Sequence, residues 1–297
     1  MARSALLTLK HLASDCLSLL RPRKLFVYAY VRRQGAGYAH NNWGDDINIS
    51  MLEEISDLKV LILNHSRIFP HLSVKSYSCI GSILGECYGK KLEIWGSGFR
   101  SDKSIIHFLP QKVHSVRGPL TRQKLLEQGI DCPEVYGDPA LLVSRYYRPT
   151  PRKKFKYGII PHYVDEKNPL VKAIISRPDV LVISMADYKH WHDIPDAVCS
   201  CEKIFSSSLH GLIVADSYGI PNVWVRFSDN IAGGDFKFRD YFASVGRDVP
   251  SPVRIGSRED LDSILDDDSA AGMAGDIDFE SILNACPFKE HLKKWQE

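Results

Sequence analysis

The segment SSSLHGLIVADSYGIP, residues 206–221, places the residue types best suited to chemistry at a strand-to-helix junction. Ile204 and Phe205 read as the end of a strand. Ser206, Ser207 and Ser208 then form the turn into a helix expected over 209–218, whose first turn holds His210 and Gly211. Backbone NH groups in a first helical turn lack intrahelical acceptors and carry the positive end of the helix dipole. With serine hydroxyls and a small glycine beside them, they would cradle a phosphate or carboxylate. A neighbouring imidazole would have its pKa lowered unless an anion bound close by. A plainer reading fits the same residues: Ser207 or Ser208 caps the helix, and His210 is a satisfied structural histidine.

A second cluster, AHNNWGDDIN, puts Asn41, Asn42, Asp45, Asp46 and Asn48 at a loop-to-helix junction, with Gly44 supplying a tight turn. Such polar density suits a hydroxyl-rich ligand. One of Asp45 and Asp46 is expected to cap the helix, leaving the other for acid–base work, and a reading in which both only cap stays open. Two further segments, WGSGF with Gly96 and Ser97, and YGDPALL, are also polar or glycine-rich where apolar runs end. In a doubly wound sheet those carboxyl ends are where ligands bind.

The elements that must position these residues follow a βα grammar. Short apolar runs at 25–31, 60–63, 77–84, 92–95 and 113–116 are bounded by Gly, Pro or polar residues, and suggest a parallel sheet buried on both faces. A helix is expected over 47–58 and another over 117–128, opened by Gly118 and Pro119 and closed by Gly129. The stretch YRPTPRKKFK, 147–156, has two prolines, five basic residues and almost nothing apolar, so the boundary between a domain 1–150 and a domain 151–297 is placed there. Beyond it the pattern restarts, with strands expected at 157–161, 180–184, 204–206 and 223–227. Helices are expected near 169–176 and 194–199, then at 209–218, with a last one over 279–295. The fold class is therefore α/β, two Rossmann-like doubly wound domains.

Composition narrows the partners. With 38 basic and 36 acidic residues the formal net charge is +2, which gives no electrostatic case for nucleic-acid binding, and Lys153 and Lys154 read as a solvated linker. Seven cysteines without repeated spacing argue against a disulfide framework or zinc site and for small buried apolar residues. Residues 1–24 have helically spaced leucines broken by Lys10, His11 and Asp15, and end in Arg21, Arg23 and Lys24. They are too interrupted to span a bilayer. Two readings fit: an interfacial amphipathic helix giving peripheral contact at the inner face of the membrane, or a helix packed on the first domain.

The ordered set NWGDDIN, IWGSGF, VRGPLTRQKLLEQGI, YGDPALL, IPHYVDE and SSSLHGLIVADSYGIP resembles the polysaccharide pyruvyl transferase family, over roughly residues 26–227. The resemblance implies a two-lobed fold like the GT-B glycosyltransferases with an interdomain active-site cleft. It also implies a phosphoenolpyruvate donor, and a product in which pyruvate forms a cyclic ketal on a hexose of a surface polysaccharide, exopolysaccharide or capsule, or of its lipid-linked precursor. On this chain it assigns His210 as general acid and the Gly44–Asp45 pair to the acceptor sugar, and the reaction then calls for Asp45 or Asp46 as the base. The donor would be held by Ser207, Ser208, Leu209, Gly211, Arg117 and Arg226. The acceptor would meet Asn42, Trp43, Gly44, Asn48, Gly96, Ser97 and His162. Many members carry an Arg directly before the Leu-His pair; here Ser208 stands there, so Arg117, with Arg226 second, is expected to supply the positive charge. Neither metal nor redox cofactor is needed, and the expected location is cytoplasmic. Rival readings are a GT-B glycosyltransferase using a nucleotide sugar and a non-catalytic sugar-binding scaffold.

Overall fold

The computed structural model of the chain describes residues 22–34, 37–40, 42–66, 73–89, 91–150, 152–175, 177–248, 251–267 and 271–294, together with 13, 15–17, 19 and 20. The expected amphipathic segment 1–24 lies largely outside the described residues, as do Asn41 and Trp295. Among the described residues no helix is long and apolar enough to cross a membrane.

Two five-stranded parallel sheets organise the chain. The first is built from β1 (Lys24–Tyr28), β4 (Lys59–Ile62), β5 (Ser76–Ser78), β6 (Leu92–Trp95) and β7 (Lys112–Ser115), in the order β4-β1-β5-β6-β7. A small antiparallel ribbon, β2 (Arg32–Gln34) and β3 (Gly37–Ala39), interrupts it in sequence. The second sheet contains β8 (Phe155–Ile160), β9 (Val180–Val182), β10 (Cys201–Ser206), β11 (Asn222–Arg226) and β12 (Val253–Arg254), in the order β12-β11-β10-β8-β9. In both, the second strand in chain order lies on one side of the first and the remaining three follow on the other. Each sheet therefore has a switch point, β1/β5 and β8/β10, where adjacent strands send their connections to opposite faces and leave a crevice at their carboxyl ends. The parallel sheets explain the near-continuous apolar strands: Leu25 to Tyr28 and Leu92 to Trp95 are buried throughout, because both faces are covered.

Helix α1 (Trp43–Ser56) buries Trp43, Ile47, Met51 and Ile55, a stripe of four-residue spacing that faces the core. Helix α2 (Pro119–Glu127) starts at its proline, two residues later than expected, and Gly129 after it takes the left-handed φ of 73° that a helix end favours. Short helices α3 (Val143–Tyr146), α4 (Pro169–Ile174) and α5 (Asp193–Cys199) precede α6 (Leu209–Ser217). Every residue of α6 is buried, which explains its lack of a polar face. Then come α7 (Phe236–Ser244), absent from the sequence expectations, α8 (Arg258–Asp266) and α9 (Phe279–Asn284). The last helix is shorter than expected: Pro287 disfavours helical backbone just before it, and only a 3₁₀ turn, Lys289–His291, follows. Six of the seven cysteines are buried, and all seven are free thiols.

The two halves share a core. Trp43, fully buried, donates its Nε1–H to the Trp191 carbonyl at 2.7 Å, and Tyr188 donates its hydroxyl to Asp46 at 2.6 Å. After the second sheet the chain returns to the first, where Trp95 Nε1 donates to the Ile282 carbonyl at 2.8 Å and the Phe288 ring meets Trp95 edge-on.

Candidate active site

The carboxyl ends of both switch points open on one cavity of about 320 Å³. Tyr30 follows β1, Ser82 and Ile83 follow β5, His162 and Tyr163 follow β8, and Ser208, Leu209 and His210 follow β10; all line it. Asn42 and Asp45 enter from the start of α1, Arg100 from the loop after β6, and Ala232 and Lys237 from the loop and first turn of α7.

Local structure explains the approach of His210. Ser208 is the N-cap residue of α6, yet its side chain makes no capping bond; the Ser208 amide is taken instead by Ser206 Oγ at 3.0 Å. Ser207 Oγ accepts the His162 amide at 2.8 Å. The expected serine cap is thus replaced by a turn that ties β8 to β10 and leaves Ser208 facing the cavity. Gly211 lets α6 pack closely, since a Cβ there would lie 2.4 Å from Ser206 Oγ. Gly44 abuts the catalytic candidate, because a Cβ built on it would sit 1.8 Å from His210 Nδ1. Two glycines therefore set where the imidazole stands.

The electrostatics are those of a partly desolvated site. His210 is 8% exposed; burial, with the positive charges of Lys237 and Arg117, pushes its pKa down to about 3. His162 is lowered to about 4, by burial and then Lys237. Burial raises Asp45 to about 7, partly opposed by the 2.6 Å hydrogen bond from Asn42 Nδ2. Asp138, the N-cap of the 3₁₀ turn Pro139–Leu142, is raised to about 6 by burial, against the pull of the Ala140 amide and Arg117. Its Oδ2 lies 3.9 Å from His210 Nε2. Lys237 falls to about 8 through burial and the like charge of Arg117. Its ammonium lies 5.3 Å from the Phe238 ring centroid and is partly offset by the Asp45 carboxyl, but makes no hydrogen bond or ion pair with any described residue, so a half-buried cation lines the cavity.

Of the residues expected from sequence, His210, Asp45, Ser208, Leu209, Asn42 and His162 line this cavity. The others are placed differently. Asp46 accepts the Asn42 amide and the Tyr188 hydroxyl, a capping and inter-half role. Asn48 is committed to Asp45 and Ile80 backbone groups. Trp43 is core, Gly44 and Gly211 supply clearance, and Ser207 orients His162. Gly96 adopts a φ of 84° against Pro139, and Ser97 Oγ bonds Ser78 Oγ, both behind the site. Arg117, expected to meet the donor, is 0% exposed. Its guanidinium is consumed by Asp240, Ser82 and the Phe99 carbonyl. Arg226 is paired with Asp235 and does not line the cavity. The cations that do are Lys237 and Arg100, the latter also paired with Glu86. Arg100 follows the flagged IWGSGF segment, whereas Lys237, set between Phe236 and Phe238, carries no sequence signal.

A family model described as polysaccharide pyruvyl transferase matches residues 88–229. The chain is 30% identical over 232 residues to the uncharacterized protein L143 of Acanthamoeba polyphaga mimivirus, covering 75% of each chain. It is 27% identical over 228 residues to the succinoglycan biosynthesis protein ExoV of Rhizobium meliloti (strain 1021), covering 72% of this chain and 66% of that protein.

Proposed function

Because this chain belongs to the polysaccharide pyruvyl transferase family, we propose that it moves the pyruvyl group of phosphoenolpyruvate onto a sugar hydroxyl pair as a cyclic ketal, in the cavity between its two halves. The observation that supports this most is the meeting, at the ends of both sheets, of a buried imidazole, a carboxyl with its pKa raised to about 7 and a lysine that makes no hydrogen bond or ion pair with a described residue. In this reading the enzyme works as a two-lobed, GT-B-like protein with its chemistry in the cleft, which the two parallel five-stranded sheets support.

In this reading the first turn of α6 and the Lys237 ammonium hold the anionic donor, Lys237 taking the place of the Arg that Ser208 lacks. Phosphoenolpyruvate brings up to three negative charges. They reverse the field that keeps His210 neutral, so the imidazole takes up a proton as the donor binds. His210 then delivers that proton to the methylene carbon, making C2 electrophilic. A sugar hydroxyl attacks C2 while Asp45 accepts its proton. Phosphate leaves with the C2–O bond electrons, and the second hydroxyl closes the ring on C2, its proton departing with phosphate. The proton on Asp45 restores His210, and one donor plus one diol yield one ketal and one phosphate. Asn42, His162 and Tyr30 are left for the sugar.

The deciding experiment incubates the protein with phosphoenolpyruvate and a panel of glucosides, galactosides and mannosides, and looks by mass spectrometry for a ketal product and free phosphate. Thermal-shift titrations with phosphoenolpyruvate and with nucleotide sugars run beside it. Stabilisation by a nucleotide sugar alone, with no ketal formed, would point to glycosyl transfer and remove this assignment.

A further inference from the structure

The YGDPALL segment contributes a residue that the reaction above does not use. Asp138 caps the turn Pro139–Leu142 through Oδ1, which accepts the Ala140 amide at 3.0 Å. That bond accounts for one oxygen only. The Gly81 amide also lies close enough to favour the carboxylate, yet Oδ2 meets no donor at hydrogen-bond geometry, and neither does the enclosed atom facing it, His210 Nε2 at 3.9 Å. Asp138 is 0% exposed and His210 8%, so water does not relieve either atom. Two complementary buried polar groups left apart each forgo the hydrogen bond that would offset their desolvation. Capping does not require this, because a serine or asparagine would cap as well.

We propose that Asp138 is the positioning residue of His210: when the imidazole gains its proton, Nε2–H closes onto Asp138 Oδ2 and the ring presents Nδ1–H to the donor. The gap is about 1 Å beyond a charge-assisted hydrogen bond, small enough for a side-chain adjustment. Gly44, against the ring, limits which way it can move. With Nε2 turned to a carboxylate, Nδ1 is the nitrogen left for the cavity that His210 lines. The logic is that of a carboxylate that fixes a tautomer and stabilises the imidazolium without itself taking the proton. The charged groups around the pair are Lys237, which opposes protonation of His210, Arg117, which opposes it and favours the ionised form of Asp138 against burial, and Asp240, which opposes ionisation of Asp138.

This inference rests on His210 being the proton donor, and the test separates the two. Asp138→Asn keeps the cap oxygen and the shape. It is expected to lower kcat by roughly 10²-fold or more with donor KM within about twofold, assayed as phosphate release with whichever glycoside the panel shows to be turned over. The alkaline limb of its kcat–pH profile should move down by about one unit, since the imidazolium loses its counter-charge. Wild-type kcat with an unmoved limb would leave Asp138 a cap only. If His210→Ala is itself fully active, the acid assignment fails; if His210→Ala is dead and Asp138→Asn is not, only the pairing fails. A second measurement needs neither acceptor nor variant stability. Imidazole ¹⁵N NMR of the wild-type protein saturated with phosphoenolpyruvate should show His210 protonated on Nε2 and hydrogen-bonded. An unprotonated Nε2 in that complex overturns the proposal.

Discussion

Lys237 carries the donor assignment at the scale of single residues. A charged hydrogen bond removed from a desolvated site costs about 1.5–3 kcal/mol, or roughly 10- to 100-fold in affinity. Lys237→Met, which removes the ammonium and keeps most of the apolar side-chain length, is therefore expected to raise donor KM by that factor with a smaller change in kcat. An unchanged KM would leave the anion to Arg100 and the helix start alone. Asp45 makes a different prediction, on stability. Its folded pKa of about 7 lies above the usual 3.8. Below 3.8 the carboxyl is protonated folded or unfolded and has no effect. Between 3.8 and 7 only the unfolded chain ionises, so stability falls as pH rises, and above 7 the loss is complete. Asp45→Asn escapes this penalty while still accepting from Asn42. Its melting temperature should match wild type near pH 4 and exceed it by a few degrees at pH 8. A difference that does not grow with pH would mean the carboxylate is already compensated in the fold.

Among elements, the start of α6 depends on the start of α1. Gly44 on one and His210 on the other touch so closely that Gly44→Ala must displace the imidazole or the helix carrying it. Overpacking of this kind costs about 1–3 kcal/mol. Turnover should fall at least tenfold in a protein that still melts cooperatively, and wild-type turnover would show that the ring is not held there. The same junctions mark what was legible in the sequence. The strands and the serine turn into α6 were readable because each is encoded locally, by apolar runs and helix-start residues. Roles that need two distant segments were not. Asp46 and Asp45 are adjacent and chemically identical, and Asn42 bonds both; Tyr188, from the other half, then commits Asp46 while Asp45 lines the cavity. Asp138 looks like any turn residue until α6 brings His210 to it. Helix α7 escaped notice because its charged residues are interleaved with buried aromatics, Phe236, Phe238, Tyr241 and Phe242, and neither periodicity dominates.

For the whole molecule, α7 couples the join between the halves to the cavity. Asp240 accepts from Arg117 Nε at 3.0 Å and from the Thr121 amide and hydroxyl at 2.8 and 2.7 Å, and all three residues are fully buried. Gly118 makes room for this contact, since a Cβ there would lie 1.9 Å from the Asp240 carbonyl oxygen. Breaking one side of a buried ion pair costs about 3–5 kcal/mol, because the remaining charge is stranded. Arg117→Met is expected to lose that much stability in chemical denaturation. It should also raise donor KM although Arg117 does not reach the cavity, because Lys237 sits three residues before Asp240 on the same helix. Asp240→Asn separates this indirect effect from direct donor binding by Arg117. If α7 is the link, Asp240→Asn raises donor KM as Arg117→Met does, since both loosen the helix that presents Lys237. If Arg117 instead binds the donor, removing the Asp240 charge frees the guanidinium, and donor KM falls or stays level while Arg117→Met alone raises it.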